Sequence, residues 1–291
     1  MISEKFLQRI TLFSKALVGE ACFFVFTLIL GIFQAQRLLS FGNNDSGFYS
    51  SFSFSFNDFL FILIFNILFI LTLVYLARKK QKAGFISKIF FILSVFLGTM
   101  LTFLLWLPQN WALILSLILM FLLLRFRILI LHNLLLAFTL ATIGALIGLN
   151  LDPLIIIIFL TILSIYDFVA VYKTRHMITL VKVMAESGSI MGFVVPQDFR
   201  NIFLPLRDFS FQNLKDKYIV LGSGDVVLPL MMAVSLIKEE IFLAFFVTFF
   251  SFLGFLVNFL VLFSQEKKSP IPALPIIALF TILGYLLTRL F

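Results

Sequence analysis

Of the 291 residues in this chain, 62% are hydrophobic and 12% are charged. Soluble domains carry about twice that share of charged residues, so the composition excludes a soluble enzyme or binding domain and predicts a multi-pass integral membrane protein. The net charge of +8 is not gathered into a basic, aromatic-rich patch, which argues against a nucleic-acid partner, and 1 Cys with 2 His gives no reason to expect a metal or another cofactor.

The first apolar run, residues 16–35, is long enough to cross a bilayer. A cleavable signal peptide has a shorter apolar core, so this run is interpreted as the first membrane span. Glu20 lies about one turn inside the run, where we expect its side chain to extend to the membrane surface. Cys22 is expected to be a small core residue.

Phe and Ser alternate from Phe48 to Phe56, within the polar connection at residues 37–58. A two-residue period is typical of a short strand or of an extended strip lying on the membrane surface. The surface strip is the favoured interpretation, and the recognition strand stays open.

Eight more apolar runs follow along the chain. They are residues 59–77, 89–107, 112–124, 133–149, 154–172, 219–237, 241–263 and 271–290. The fourth and fifth spans are separated only by Arg125 and Arg127, which interrupt a nearly continuous apolar stretch. The prediction is therefore an all-α membrane protein with nine transmembrane helices.

The spans form one predicted membrane domain over residues 1–291. Its parts are 1–153 with spans one to five, 154–237 with spans six and seven and the cytoplasmic loop 173–217, and 241–291 with spans eight and nine.

The cationic residues predict the orientation of these spans. With a cytoplasmic N-terminus, 19 of the 22 Lys and Arg residues fall in cytoplasmic segments, and only Arg37, Lys238 and Arg289 fall outside. Lys and Arg concentrate on the cytoplasmic side of membrane proteins. The N-terminus is therefore expected inside and the C-terminus outside.

Two acidic residues lie well inside predicted spans, and a charged side chain in hydrocarbon costs at least ~2.5 kcal/mol unless it finds a partner or a cavity. Asp167 lies six residues before Lys173, and Asp225 lies eight residues after Lys217. At about 1.5 Å rise per helical residue, these spacings put the two carboxylates roughly 9 Å and 12 Å below the same membrane face. Because spans six and seven are antiparallel, we expect the two acids to meet.

A pair of adjacent carboxylates suits peptide hydrolysis. Two such groups do not ionise together easily, so the pair shares one proton near neutral pH. The ionised member can take a proton from water while the protonated member donates to the substrate carbonyl.

Glycines and prolines surround these acids in the sequence. Gly222 and Gly224 remove side chains just before Asp225, which lets another backbone approach; close packing of helices is the alternative explanation. Pro270 and Pro275 flank the start of span nine, where proline in a first helical turn is ordinary. Pro275 lies further in and is expected to leave backbone groups unpaired near the acids.

Taken together, these residues resemble the GxGD intramembrane aspartyl proteases, which comprise presenilin, signal peptide peptidase and their prokaryotic homologues. The matching residues are Tyr166 and Asp167 in span six, Gly222, Ser223, Gly224 and Asp225 in span seven, and Pro272, Ala273, Leu274 and Pro275 at the start of span nine. The resemblance implies that the two aspartates are the catalytic pair and that the other residues bind substrate. For Tyr166, an interior aromatic with a satisfied hydroxyl is an equally open explanation.

The resemblance also implies transmembrane peptides as substrates and the lipid bilayer as surroundings. The predicted orientation is that of presenilin, opposite to that of signal peptide peptidases. The loop 173–217 is much shorter than presenilin's cytoplasmic loop, which argues against autoproteolytic maturation and obligate accessory subunits. We therefore expect a prokaryotic homologue in the plasma membrane.

Two other functions are compatible with paired intramembrane acids. A proton- or ion-coupled transporter would use them as a proton relay. A non-catalytic scaffold would use them neither for transport nor for hydrolysis. Transporters often place helix breaks at corresponding positions of two repeats. Here both groups of breaks, residues 222–224 and 270–275, lie in the C-terminal third and no repeat is visible, which favours the protease.

Overall fold

A computed structural model describes residues 2–44, 83–174, 176–197, 202–203, 218–264 and 271–290. The predicted second span and the Phe–Ser strip lie outside these residues. The described helices are α1 Ile2–Asn44, α2 Ala83–Leu104, α3 Gln109–Phe126, α4 Leu129–Asn150, α5 Pro153–Val169, α6 His176–Ser187, α7 Gly224–Ser235, α8 Ile241–Ser264 and α9 Leu274–Thr288. Two strands accompany them, β1 Gly192–Pro196 and β2 Tyr218–Gly222.

Six of the described helices, α1 to α5 and α8, are long and apolar enough to cross a membrane. Helices α7 and α9 are apolar but shorter. These lengths bear out the prediction of a mostly helical, multi-pass membrane protein.

The boundaries of α3, α4 and α5 follow from local chemistry. Arg127 has a positive φ of 50° and ends α3, so the interruption that the sequence indicated is a real break between two helices. Asp152 caps α5, because its Oδ1 accepts a hydrogen bond of 2.8 Å from the N–H of Leu154. Pro153 occupies the first turn, where its missing N–H costs nothing.

A β-hairpin replaces part of the predicted helical structure. β1 and β2 pair antiparallel, with Gly192 opposite Gly222 and Val194 opposite Val220. The prediction of an all-α fold with a seventh helix from residue 219 was therefore wrong over five residues, since β2 runs to Gly222 and α7 begins at Gly224. The β-branched residues of β2 favour this extended conformation.

The outer edge of β1 is bonded to α4 rather than to a third strand. The amide nitrogen of Asn133 donates to the carbonyl oxygen of Val194 at 2.8 Å, and the N–H of Val194 donates to the Asn133 side-chain oxygen at 3.0 Å. The neighbouring His132 ring donates from Nε2 to the carbonyl oxygen of Gly192 at 3.2 Å. The hairpin is thereby fixed to the helical bundle.

Helix α7 lies at the centre of the bundle and packs against α1, α4, α5, α8 and α9. Small residues on two neighbours allow this close approach. Leu230 of α7 fits against Gly31 of α1 and Gly144 of α4, and a methyl group at Gly148 would lie 2.7 Å from the backbone oxygen of Met231. Small residues let membrane helices approach closely.

Two predictions on α1 were wrong. Glu20 does not extend to the surface; it is 2% exposed and faces the protein interior, because α1 packs that face against α7 and β1. Cys22 is exposed rather than in the core, because a side chain two residues after Glu20 points to the opposite side of the helix.

Candidate active site

Asp167 lies near the end of α5 and is 9% exposed. Immediately beyond the helix, residues Ala170–Thr174 form a short π-helical segment, a distortion that often occurs at functional sites. The carboxylate of Asp167 accepts a hydrogen bond from the backbone N–H of Leu274, the first residue of α9. The N-terminus of a helix carries partial positive charge, so α9 stabilises negative charge at Asp167.

Asp225 lies in the first turn of α7 and is partly exposed. Its carboxylate accepts a hydrogen bond from the backbone N–H of Gly222, the last residue of β2. A Cβ atom at Gly222 would lie 3.0 Å from Oδ2 of Asp225. Pro229, four residues further on, has no N–H for the Asp225 carbonyl oxygen.

The two carboxylates lie within range of each other's charge. Asp167 comes from α5 and Asp225 from α7. The first accepts a hydrogen bond from a backbone N–H of α9, and the second accepts one from a backbone N–H of β2. The sequence predicted this proximity from equal depths, but one step of that estimate was wrong. The five residues of β2 rise about 3.3 Å each, not about 1.5 Å, so the spacing from Lys217 does not measure a helical depth.

A family model described as signal-peptide peptidase, presenilin aspartyl protease matches residues 21–291. The chain belongs to this family of aspartyl proteases. Two crystal structures of a presenilin family intramembrane aspartate protease, in space groups C222 and P2, share the fold, with TM-scores of 0.58 and 0.59 and 22% identity in each case. The alignments cover 93% and 94% of this chain and 96% of the other chains. None of the curated proteins matches the chain.

The remaining predicted site residues of this protease differ in how exposed they are. Tyr166 is 46% exposed, so the description as an interior aromatic was wrong; the charge of Asp167 acts on its hydroxyl. At the start of α7, Gly224 is exposed and Ser223 is partly exposed. In the segment 272–275, Pro272 and Leu274 are buried, whereas Ala273 and Pro275 are partly buried.

Sequence reasoning missed several features of the protease. The hydrogen bond from Leu274 to Asp167 is donated by the backbone N–H, which residue identity does not reveal. The pairing of β1, the run around Val194, with β2 was not predicted. Glu20 was the more accessible signal, since it is a carboxyl within a membrane span, and the charge of Asp225 acts on it.

Within the described residues, no three His, Cys, Asp or Glu side chains are grouped so that they could hold a metal ion.

Proposed function

We propose that Asp167 and Asp225 are the catalytic pair of an endopeptidase that hydrolyses peptide bonds within transmembrane segments of other membrane proteins. The observation that carries this proposal is the meeting of two acids from α5 and α7, within range of each other's charge. Each acid also accepts a hydrogen bond from a backbone amide, Leu274 for one and Gly222 for the other, which fixes the direction of both carboxylates.

In the proposed mechanism, the pair shares one proton. The ionised carboxylate removes a proton from water as the water oxygen attacks the amide carbon, and the protonated carboxyl donates to the amide oxygen. The roles then reverse: the tetrahedral intermediate collapses, the C–N bond breaks, and a carboxyl donates a proton to the departing amine. The products are a new carboxyl terminus and a new amino terminus.

Substrate must lose its helical structure before a peptide bond can be attacked, and the freed backbone groups then need partners. The outer edge of β2 supplies such partners. Because both backbone groups of Val194 bond to Asn133, they point away from β2. Residues directly opposite in an antiparallel pair share that sense, so Val220 also directs its N–H and C=O away from β1.

This edge leads directly to the proposed catalytic pair. Gly222 lies two residues beyond Val220 on the same edge, and its N–H bonds to Asp225. An extended substrate that adds to β2 as a third strand would therefore be carried past the carboxylates. The absence of side chains at Gly222 and Gly224 leaves room for its backbone.

The other predicted substrate-binding residues fit the same path. Ser223 and Gly224 continue from β2 into α7, and Gly224 has no atom within 4 Å of a Cβ placed there. The Pro-Ala-Leu-Pro segment, residues 272–275, starts α9 beside Asp167, and Tyr166 precedes that acid in α5. We assign these residues to shaping the substrate path rather than to the chemistry.

The proposal keeps the predicted orientation, with the N-terminus in the cytoplasm and the C-terminus outside, because 19 of 22 Lys and Arg residues then lie on the cytoplasmic side. The scissile bond is then nearer the cytoplasmic face of the membrane. The short loop 173–217 supports a protease that acts without obligate accessory subunits, as in a prokaryotic plasma membrane.

A direct experiment separates this function from proton- or ion-coupled transport. Purified protein is incubated with a single-span transmembrane peptide, and the products are identified by mass spectrometry. Cleavage within the hydrophobic stretch, lost in both Asp167→Ala and Asp225→Ala, supports the proposal. Proton-driven ion flux in vesicles without cleavage of the peptide would contradict it.

A further inference from the structure

Asn133 is a fully buried polar residue in an apolar membrane helix. A buried amide without partners is costly, so its hydrogen bonds matter. Both go to a single residue, Val194 of β1, at 2.8 Å and 3.0 Å. One donor and one acceptor facing the same residue is the pattern that a neighbouring strand would offer. Asn133 thus replaces a third strand on the outer edge of β1.

His132, the residue before Asn133, provides a second attachment to β1. Its Nε2 donates to the carbonyl oxygen of Gly192 at 3.2 Å, and its ring stacks on Phe91 of α2 with centroids 5.2 Å apart. Gly192 pairs with Gly222. The attachment on α4 therefore reaches, through one strand, the residue whose N–H bonds to Asp225.

Helix α4 also supports the helix that bears Asp225. Gly144 and Gly148 of α4 pack against Leu230 and Met231 of α7 with almost no spare space. Helix α4 therefore holds β1 at one end, and through β1 the substrate-binding strand β2, while further along it packs against the helix that bears Asp225. Both attachments fix the position of β2 relative to Asp225.

We infer that Asn133 is a positioning residue, which holds β2 at the register and distance from Asp225 that substrate binding and cut-site choice require. The inference rests on the proposed function and names a residue outside the catalytic pair. Loss of the side-chain amide loosens β2 around Val220, opposite Val194, whereas Gly222 stays bonded to Asp225 three residues further on. Substrate binding then weakens more than the chemical step, and neighbouring peptide bonds reach the acids.

The test compares three variants of the full chain. Asn133→Leu keeps the approximate volume and removes both hydrogen bonds. Asn133→Asp keeps the shape and an acceptor for the N–H of Val194. Thr139→Val is the matched control, because Thr139 is another buried polar residue of α4. Its hydroxyl donates to helix carbonyl oxygens, that of Leu135 at 2.9 Å and that of Val95 in α2 at 3.4 Å. Thermal unfolding in detergent identifies any variant that fails to fold.

Cleavage of one transmembrane peptide then gives KM, kcat and the cut positions. We expect Asn133→Leu to raise KM at least about 5-fold and to keep kcat within about 2-fold of wild type. This pattern is expected when an interaction that binds substrate and transition state equally is lost. The variant should also cut at sites beside the wild-type one. Asn133→Asp should show a smaller KM increase, and it carries the test if the Leu variant does not fold. Thr139→Val should match wild type.

Peptide binding is also measured in the Asp225→Ala background, where no cleavage interferes, and Asn133→Leu should weaken it by the same factor. Folded Asn133 variants with wild-type KM, binding and cut position would overturn the inference while leaving the protease proposal intact. A wild-type protein that neither binds nor cuts the peptide would overturn both.

Discussion

A single methyl group at Gly222 should displace the carboxylate of Asp225 without unfolding the protein. In Gly222→Ala the new Cβ would lie 3.0 Å from Oδ2 and 3.7 Å from Cγ of Asp225. The atom that must give way is the end of a side chain. Gly188, not Gly222, is the glycine with positive φ among the described residues, so alanine can adopt the backbone conformation of residue 222.

The size of the effect follows from the distances. Ordinary van der Waals contact begins near 3.4 Å, so the carboxylate must move by about 0.4 Å, the difference from the 3.0 Å contact. A misplacement of about 1 Å in an active site costs about 100-fold, so this shift should lower kcat roughly 6-fold. The midpoint of thermal unfolding should stay close to wild type.

The assay measures kcat for cleavage of a transmembrane peptide together with thermal unfolding in detergent. Gly224→Ala is the matched comparison, because its methyl group meets nothing within 4 Å and does not touch the carboxylate; its kcat should fall less. Wild-type kcat in Gly222→Ala, or an equal loss of kcat in Gly224→Ala, would refute the argument that Gly222 sets the position of Asp225.

Further predictions concern packing, the third acid and pH. Gly148→Ala should lower the free energy of unfolding by about 2 kcal/mol, since its methyl group meets the Met231 backbone at 2.7 Å. The control is Gly84→Ala, whose methyl group meets only a side chain at 3.3 Å. An unfolding midpoint of Gly148→Ala as high as that of the control would contradict this prediction. Glu20→Leu should leave stability unchanged or raise it by up to about 2 kcal/mol, because Oε1 of Glu20 is buried with no hydrogen-bond partner; a lower unfolding midpoint would show that this carboxyl stabilises the fold. Cleavage should depend on pH as a bell, falling in acid when both aspartates are protonated and in alkali when both are ionised, and a flat profile from about pH 4 to 9 would exclude a shared proton.

The sequence predicted the helices well where long apolar runs carry the signal. The break at Arg127 was visible, since charged residues interrupt the apolar run at a helix end. The same signal does not identify β2, because a short apolar run such as Ile219 to Leu221 fits a buried helix and a buried strand equally well. Only the pairing with β1, which lies over twenty residues earlier, decides between the two structures.

The two acids of the candidate site could be predicted from the sequence, but the backbone N–H groups that bond to them could not. A carboxyl in a membrane span is costly enough to stand out, so Asp167 and Asp225 could be identified from residue type alone. The amides of Leu274 and Gly222 carry no such signal, because every residue but proline has an N–H. Glu20 was misjudged because its position near a helix end does not reveal which side of α1 faces the bundle.

The most direct test of the account asks whether the two acids act as one unit within one chain. Purified wild-type protein, Asp167→Asn, Asp225→Asn and an equal mixture of the two variants are each incubated with a single-span peptide, and fragments are mapped by mass spectrometry. The account predicts cleavage inside the span by wild type and none by either variant or by the mixture. Cleavage at the wild-type position by a single variant would contradict the claim that both carboxylates are needed.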